Sequence, residues 1–452
     1  MIKKLFTGFV VLFLLTPVFA AFNSWGIPDS SEIRKNLSER WFEASLEDVR
    51  MNLSEIYDND AGEKFQVRLE ETDSTFYIFV APRAVINVNV YTSKGVTLEQ
   101  QEVYPGDAPG SWVLIRDKKT GEPIRIRYYF AANSDVFVQF SPNGKTALAD
   151  MVIFGNYAAK GASTGVPFTS FYGASFSDVL NMTDISLPWK YVSFDGDLYS
   201  NVLQMAGMIQ KNLPKIFYVQ DAMYDEDNNL VKVSNGKPFE DESIDKSKRY
   251  LSSAGFLKWI ADGLVEPIVG SRIKRAPLME ETVSVKSTGY QGILSQKYNL
   301  FFALDWIRNL SAAVISINTG KTYKYNEAGA DVTINPFAAT INGEGTINTV
   351  TFIEDTGYSV GVLKSLLYVL ANTEPGNVYF GAIRETDHTV TPEIKTFTDC
   401  VAFLPYFSSN GSFGCFVYMN GREISLEDFC MLYAQDYVYL TRIRASDNFF
   451  PY

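Results

Sequence analysis

The sequence predicts an α+β protein in which an antiparallel β-sandwich-like domain precedes a larger domain of mixed helices and strands. Short apolar alternations recur between Gly and Pro turns over residues 65–154, and Ile86, Val88 and Val90 are one example. Alternation with a period of two puts one face of each strand in a core. Over residues 198–213 the apolar spacing changes to three and four, which indicates an amphipathic helix.

The first twenty residues have the pattern of a secretory signal peptide. Two lysines precede an apolar run over residues 5–15, and Val18-Phe19-Ala20 supplies a small-residue cleavage site. We expect cleavage after Ala20 and a secreted chain, in the periplasm or outside the cell. The apolar run is shorter than the roughly twenty residues that a membrane-spanning helix needs, and no later uncharged stretch reaches that length. The protein is therefore not expected to span a membrane.

Charge and composition exclude several classes of function. The formal net charge is −12, from 40 basic and 52 acidic residues, so the surface repels phosphate backbones and nucleic acid is excluded as a partner. One histidine and three cysteines, without a Cys-x-x-Cys pair, cannot build a closed zinc site of ordinary spacing. We expect neither a metal nor a cofactor. Because three is an odd number, at least one thiol is unpaired within the chain, and we expect Cys400 and Cys415 to be reduced and packed.

A boundary is predicted where small residues, Gly and Pro dominate, over residues 158–167. Such composition is typical of a linker or a long loop. We therefore expect a β-rich domain over residues 21–157, a linker over 158–180 and the mixed domain over 181–452.

Three helices and a strand hairpin are predicted in the mixed domain. The first helix begins at Ser252 or Ser253, two more follow it, and strands begin near Val378. Apolar runs lie on both sides of Asn410-Gly411, and Asn-Gly between two such runs is a strong hairpin signal.

The opening of the first of these helices reads Leu251-Ser252-Ser253-Ala254-Gly255-Phe256-Leu257-Lys258-Trp259. It resembles the nucleophile turn of papain-like cysteine hydrolases, where Cys, a small residue, Gly and an aromatic residue open an apolar helix. Later in the chain, Asp399-Cys400-Val401-Ala402-Phe403 is similar to the strand that follows the catalytic histidine in the NlpC-type cell-wall peptidases of that superfamily. The resemblance extends over about residues 190–445 and implies a papain-like, NlpC-type α+β domain.

The resemblance implies a nucleophile position at Ser253 and a base position at Cys400, or at Asp399 if the register shifts by one residue. A serine lacks the acidity of a thiol, and neither Cys nor Asp replaces imidazole as a base near neutral pH. The domain is therefore expected to be a pseudoenzyme. Its cleft would bind a cell-wall peptide or glycan, or a protein partner, without cleaving it.

Two other functions stay open at this point. Ser253 and the single histidine, His388, could form the site of an active cell-wall amidohydrolase or peptidase. Alternatively, the chain is a secreted structural or surface module whose β-rich domain makes the interaction. Both readings compete with simpler roles, because Ser253 could be a helix N-cap and His388 lies in a polar segment typical of an exposed loop.

Overall fold

The computed structural model describes seven parts of the chain, namely residues 26–92, 95–239, 245, 247–283, 300–341, 345–388 and 391–451. The predicted signal peptide and its cleavage site at Ala20 lie outside these residues. Within the described residues no helix is both long enough and apolar enough to cross a membrane. Helices and large antiparallel sheets confirm the α+β class.

The N-terminal half is built on one antiparallel sheet of eight strands in the order β1-β2-β3-β6-β7-β8-β9-β10. The strands are β1 (Glu55–Asp58), β2 (Lys64–Glu71), β3 (Thr75–Pro82), β6 (Trp112–Asp117), β7 (Pro123–Tyr129), β8 (Val136–Asn143), β9 (Thr146–Ile153) and β10 (Asn156–Ser163). Two helices, α1 (Ser31–Leu37) and α2 (Leu46–Met51), precede it and flank a π-helical turn, Ser38–Phe42. All neighbouring strands of the sheet pair antiparallel.

The predicted β-sandwich is wrong in one respect, because helices rather than a second large sheet cover the buried face. Phe171 stacks on Phe140 of β8 with 3.8 Å between the ring centroids, and Arg34 of α1 donates to the Tyr128 hydroxyl of β7. Strand alternation predicts that one face is buried, but it does not specify what buries it.

A two-stranded ribbon leaves the large sheet between β3 and β6. It pairs β4 (Ala84–Thr92) with β5 (Gly95–Val103). The core position predicted for Ile86, Val88 and Val90 is wrong, since Ile86 is 43% exposed and Val88 faces the exposed Glu99 across the ribbon.

The segment predicted as a linker, residues 158–180, is ordered structure. It contains most of β10, helix α3 (Ser170–Gly173) and the start of α4 (Phe176–Thr183). Register shifts between Tyr157 and Ala162 bend β10, so its small residues mark a bulged edge strand instead of a flexible connection.

The C-terminal half places helices on both faces of a six-stranded antiparallel sheet in the order β17-β22-β18-β19-β20-β21. The strands are β17 (Tyr358–Ser359), β18 (Asn377–Asp387), β19 (Ile394–Phe407), β20 (Phe413–Met419), β21 (Arg422–Ile424) and β22 (Tyr437–Arg444). Helices α5 (Ser200–Asn212), α6 (Ser253–Val269) and α8 (Phe302–Thr319) share one core with the sheet, whereas α9 (Leu363–Thr373) and α10 (Leu426–Leu432) pack in another. The hairpin predicted at Asn410-Gly411 joins β19 to β20 and is confirmed.

Short elements connect these layers. Strand β11 (Ile216–Tyr218) pairs parallel with β14 (Arg249–Leu251), and β12 (Ala222–Tyr224) forms a hairpin with β13 (Leu230–Lys232). Helix α7 (Arg275–Leu278) follows α6, and β15 (Ala338–Ile341) pairs with β16 (Gly345–Asn348).

The two halves share one apolar core. Phe154, at the end of β9, contacts the ring of Tyr368 on α9 with 5.5 Å between centroids. Nearby, the Asn156 side chain donates to the Ser365 hydroxyl at 2.8 Å. The same cluster of buried side chains extends from α1 to β22.

Candidate functional site

The start of α6 is fixed by Ser252, which is the N-cap. Its Oγ accepts a hydrogen bond from the Gly255 backbone N–H at 3.2 Å and donates to the Ala222 carbonyl at 3.0 Å. The reading of Ser253 as the N-cap is therefore wrong. Ser253 is the first helical residue, and its hydroxyl is available for another partner.

Gly255 allows the backbone of β12 to approach the first turn of α6. A Cβ at this position would lie 2.3 Å from the Ala222 carbonyl oxygen, well inside van der Waals contact. Gly255 in the Ser-Ala-Gly-Phe opening thus has a packing role, because it sets the distance between the helix start and β12.

Ser253 and Asp399 meet across the interface between helix and sheet. The Ser253 Oγ donates to the Asp399 Oδ1 at 2.9 Å. Asp399 lies within β19, so the structure brings the predicted nucleophile position, at the positive end of a helix, against a central strand.

A β-bulge directs Asp399 to this position. Ile383 pairs with Asp399 and Arg384 pairs with Phe397, so Thr398 is an extra residue in β19. Phe397 and Cys400 both lie in the core under α6, although strict alternation would place residues three apart on opposite faces. The bulge absorbs the extra residue and changes the direction of the side chains beside it.

Cys400 is not part of the cleft. Its side chain is 1% exposed and packs in the core between the sheet and α6, where burial raises the pKa of its thiol well above the usual value. Of the two base positions that the resemblance offered, the structure places Asp399 against Ser253 and Cys400 in the core.

His388 is also remote from Ser253. Its side chain is 73% exposed, and its Nδ1 lies 2.8 Å from the Glu393 carboxylate at the tip of the hairpin between β18 and β19. Asp399 pairs with Ile383, and five residues of extended strand correspond to about 16 Å. The structure does not assemble a Ser253–His388 dyad.

Ser253 and Asp399 lie in an open cleft of about 920 Å³. Its walls combine hydroxyl groups, two carboxylates, one amine and apolar rings, contributed by Tyr218, Gln220, Asp221, Lys232, Val233, Ser234, Phe239, Ser252, Ser253, Ala254, Met279, Phe302, Thr396, Thr398 and Asp399. Such a mixture suits a ligand with many hydrogen-bonding groups, such as a peptide or a sugar chain.

Asp399 differs from the other carboxylate of the cleft in its environment. Burial raises the pKa of Asp399, and the hydrogen bond from Ser253 opposes that rise. Asp221 is held by Ser234, whose backbone N–H and hydroxyl each donate to its carboxylate at 2.7 Å. Asp399 is therefore the carboxylate that is poorly solvated and bound by one side-chain hydroxyl.

Sequence reasoning missed the wall formed by β11, β12 and β13, which carries Tyr218, Gln220, Asp221 and Lys232. The one available signal was proximity in the chain, because β11 pairs parallel with β14 immediately before Ser252. The described residues contain no group of three or more His, Cys, Asp or Glu side chains that could hold a metal ion.

Comparison with known proteins gives one match. Residues 23–191 match the model of a family described as a domain of unknown function, DUF8515. No curated protein and no solved structure matches the chain. The matched region contains the eight-stranded sheet with helices α1 to α4, and it ends before the first residue of the cleft.

Proposed function

We propose that this chain is an exported binding protein whose C-terminal half resembles NlpC-type papain-like hydrolases and has lost their chemistry. The observation that carries the proposal is the hydrogen bond between Ser253 and Asp399 at the start of α6. A hydroxyl and a carboxylate lie where such an enzyme needs a thiol and an imidazole. The cleft around them binds a cell-wall peptide or glycan.

Two physical arguments support binding over hydrolysis. A free carboxylate is a weaker base than imidazole by about 2.6 pKa units, and the serine hydroxyl is far less acidic than a thiol. The one histidine of the chain lies at the exposed hairpin tip with Glu393. An active hydrolase that uses Ser253 with His388 is therefore not supported by the geometry.

The binding test uses a purified disaccharide-tetrapeptide fragment of a bacterial cell wall and titration calorimetry. Gln220→Trp fills the cleft from an exposed position, and Gln100→Trp on the exposed β5 is the matched control. We expect binding that is lost in Gln220→Trp and kept in Gln100→Trp, without cleavage by mass spectrometry. Cleavage that disappears in Ser253→Ala would contradict the proposal.

A second experiment tests the relation to papain-like enzymes independently of the ligand. Ser253→Cys combined with Asp399→His places a thiol at the helix N-terminus and an imidazole at its hydrogen-bond partner's position. In that arrangement the thiol pKa falls to about 3.5–7.5. We expect the double variant to be alkylated faster below neutral pH than Ser253→Cys alone, and equal rates would count against the assignment.

A further inference from the structure

A second cavity, of about 270 Å³, lies beside α6 and is separate from the cleft at Ser253. It is lined by Asn212, Lys215, Ile216, Tyr224, Asn228, Ser247, Lys248, Arg249 and Trp259. Ile216, Tyr224 and Trp259 are its apolar part, and no carboxylate of a described residue lines it. In a chain with a net charge of −12, three cationic side chains thus surround one cavity.

Arg249 has no carboxylate partner among the described residues. Its guanidinium is half-buried, lies 4.9 Å from the centre of the Tyr224 ring and donates to the Asn228 Oδ1 at 3.4 Å. Buried charges in proteins are usually paired, because removing a charge from water is costly. No described carboxylate forms an ion pair with Arg249, and its charge is balanced only at longer range, by Glu266 and Asp262.

A neighbouring arginine increases this excess of positive charge. The Arg272 guanidinium donates to the same Asn228 oxygen and also pairs with Glu266 at 3.1 Å. Two cationic groups thus donate to one neutral amide oxygen, that of Asn228. The backbone of Asn228 is in the left-handed region, with a φ of 64°. Burial lowers the pKa of Arg249 and the charge of Arg272 lowers it further, whereas Tyr224, Glu266 and Asp262 act in the opposite direction without cancelling the effect.

Lys215 and Lys248 add positive charge at the rim of the second cavity. Lys215 is exposed and makes no ion pair with any described residue. Lys248 lies 3.9 Å from the Asp245 carboxylate and 4.6 Å from the centre of the Phe217 ring, so its charge is only loosely compensated. Asp225, on the turn after β12, does not line the cavity. Its carboxylate accepts hydrogen bonds from the backbone N–H groups of Asp227 and Asn229.

We propose that this second cavity binds an oxyanion, a carboxylate or a phosphate, carried by a small ligand whose body packs on the apolar wall. Arg249 binds the anion through its fork of N–H donors, and Lys215 and Lys248 add charge at the rim. Asn228 and Ser247 supply neutral hydrogen-bonding groups. The site does not depend on the function proposed for the Ser253 cleft.

The test measures binding of three probes to the full chain by titration calorimetry: D-glucuronate, inorganic phosphate and neutral D-glucose. We expect both anions to bind in a salt-sensitive manner and glucose not to bind. A tighter glucuronate complex identifies a sugar carboxylate as the source of the anion, and a tighter phosphate complex identifies phosphate. Binding of glucose as strong as that of glucuronate would overturn the proposal, as would no binding of either anion.

Variants locate the binding. Arg249→Gln removes the charge inside the cavity and should weaken anion binding about tenfold or more, as expected for loss of a charged hydrogen bond. Lys215→Gln alters only an exposed side chain and keeps the test valid if Arg249→Gln does not fold. The matched control is Lys211→Gln, exposed on the last turn of α5 and outside the cavity. Equal affinities in all three variants would refute the assignment.

Discussion

Replacing Asp399 by asparagine removes a charge from the cleft and keeps an oxygen that can accept the hydrogen bond from Ser253. Burial raises the pKa of Asp399, so the folded protein binds this proton more readily than the unfolded chain does. Between the unfolded pKa, about 3.9, and the higher folded pKa, stability falls as pH rises, and it stays lower above that interval. Asparagine does not titrate and avoids this loss.

Two opposing effects set the size of the change. The variant escapes the cost of a poorly solvated carboxylate, and it exchanges a charge-assisted hydrogen bond for a neutral one, which is weaker by about 1 kcal/mol. Since the pKa of Asp399 is raised in spite of the Ser253 hydrogen bond, burial outweighs that bond. We expect a net gain in unfolding free energy near neutral pH on the order of 1 kcal/mol.

Urea unfolding at about pH 7 and about pH 4 measures this difference, which should shrink at the lower pH. Asp117→Asn is a control of opposite sign. The Asp117 Oδ1 accepts from the backbone N–H groups of Lys119 and Thr120, each at 2.8 Å, and these bonds lower its pKa. The ionised Asp117 carboxylate therefore stabilises the folded state above its unfolded pKa, and this stabilisation is lost as pH falls. The Asp117→Asn variant should accordingly be less stable than the parent protein near pH 7. A destabilised Asp399→Asn, or a gain equal at both pH values, would refute the reasoning.

Two further predictions concern packing and thiols. Gly255→Ala should cost about 1–3 kcal/mol in unfolding free energy, because its Cβ would lie 2.3 Å from the Ala222 oxygen. Gly207→Ala in α5, where nothing lies within 4 Å, should instead gain about 0.5–1 kcal/mol, and denaturant unfolding of both variants checks the contrast. All three cysteines are free, so thiol titration of the denatured, unreduced protein should find three reactive groups, with Cys400 the slowest to react in the native state. A disulfide found by mass spectrometry would contradict this.

The sequence predicted the helix and the hairpin that form the candidate site, but it did not predict the register of β19 within that site. The residues around Ser253 indicated a helix start, and the Asn-Gly pair indicated the hairpin of β19 and β20. Neither pattern decides whether Asp399 or Cys400 contacts Ser253, because that depends on the extra residue at Thr398. A bulge depends on pairing with another strand, and local sequence carries little trace of it.

Burial was the other quantity that local patterns did not determine. The residues of β4 alternate as a half-buried strand would, yet they lie on an exposed ribbon. The small residues of β10 have the composition of a linker, yet they pair in the sheet. In both places the outcome depends on which distant segment packs there, and periodicity or composition cannot specify that partner.

The core shared by the two halves has a consequence for the segment that matches the DUF8515 family model, residues 23–191. The match ends at residue 191, but the apolar surface of that region is covered here by side chains from α9 and the six-stranded sheet. Cut at that boundary, the region would expose large apolar side chains such as Phe154, which here contacts Tyr368. A chain that contains only this region needs another layer, from its own sequence or a second molecule, to remain monodisperse in water.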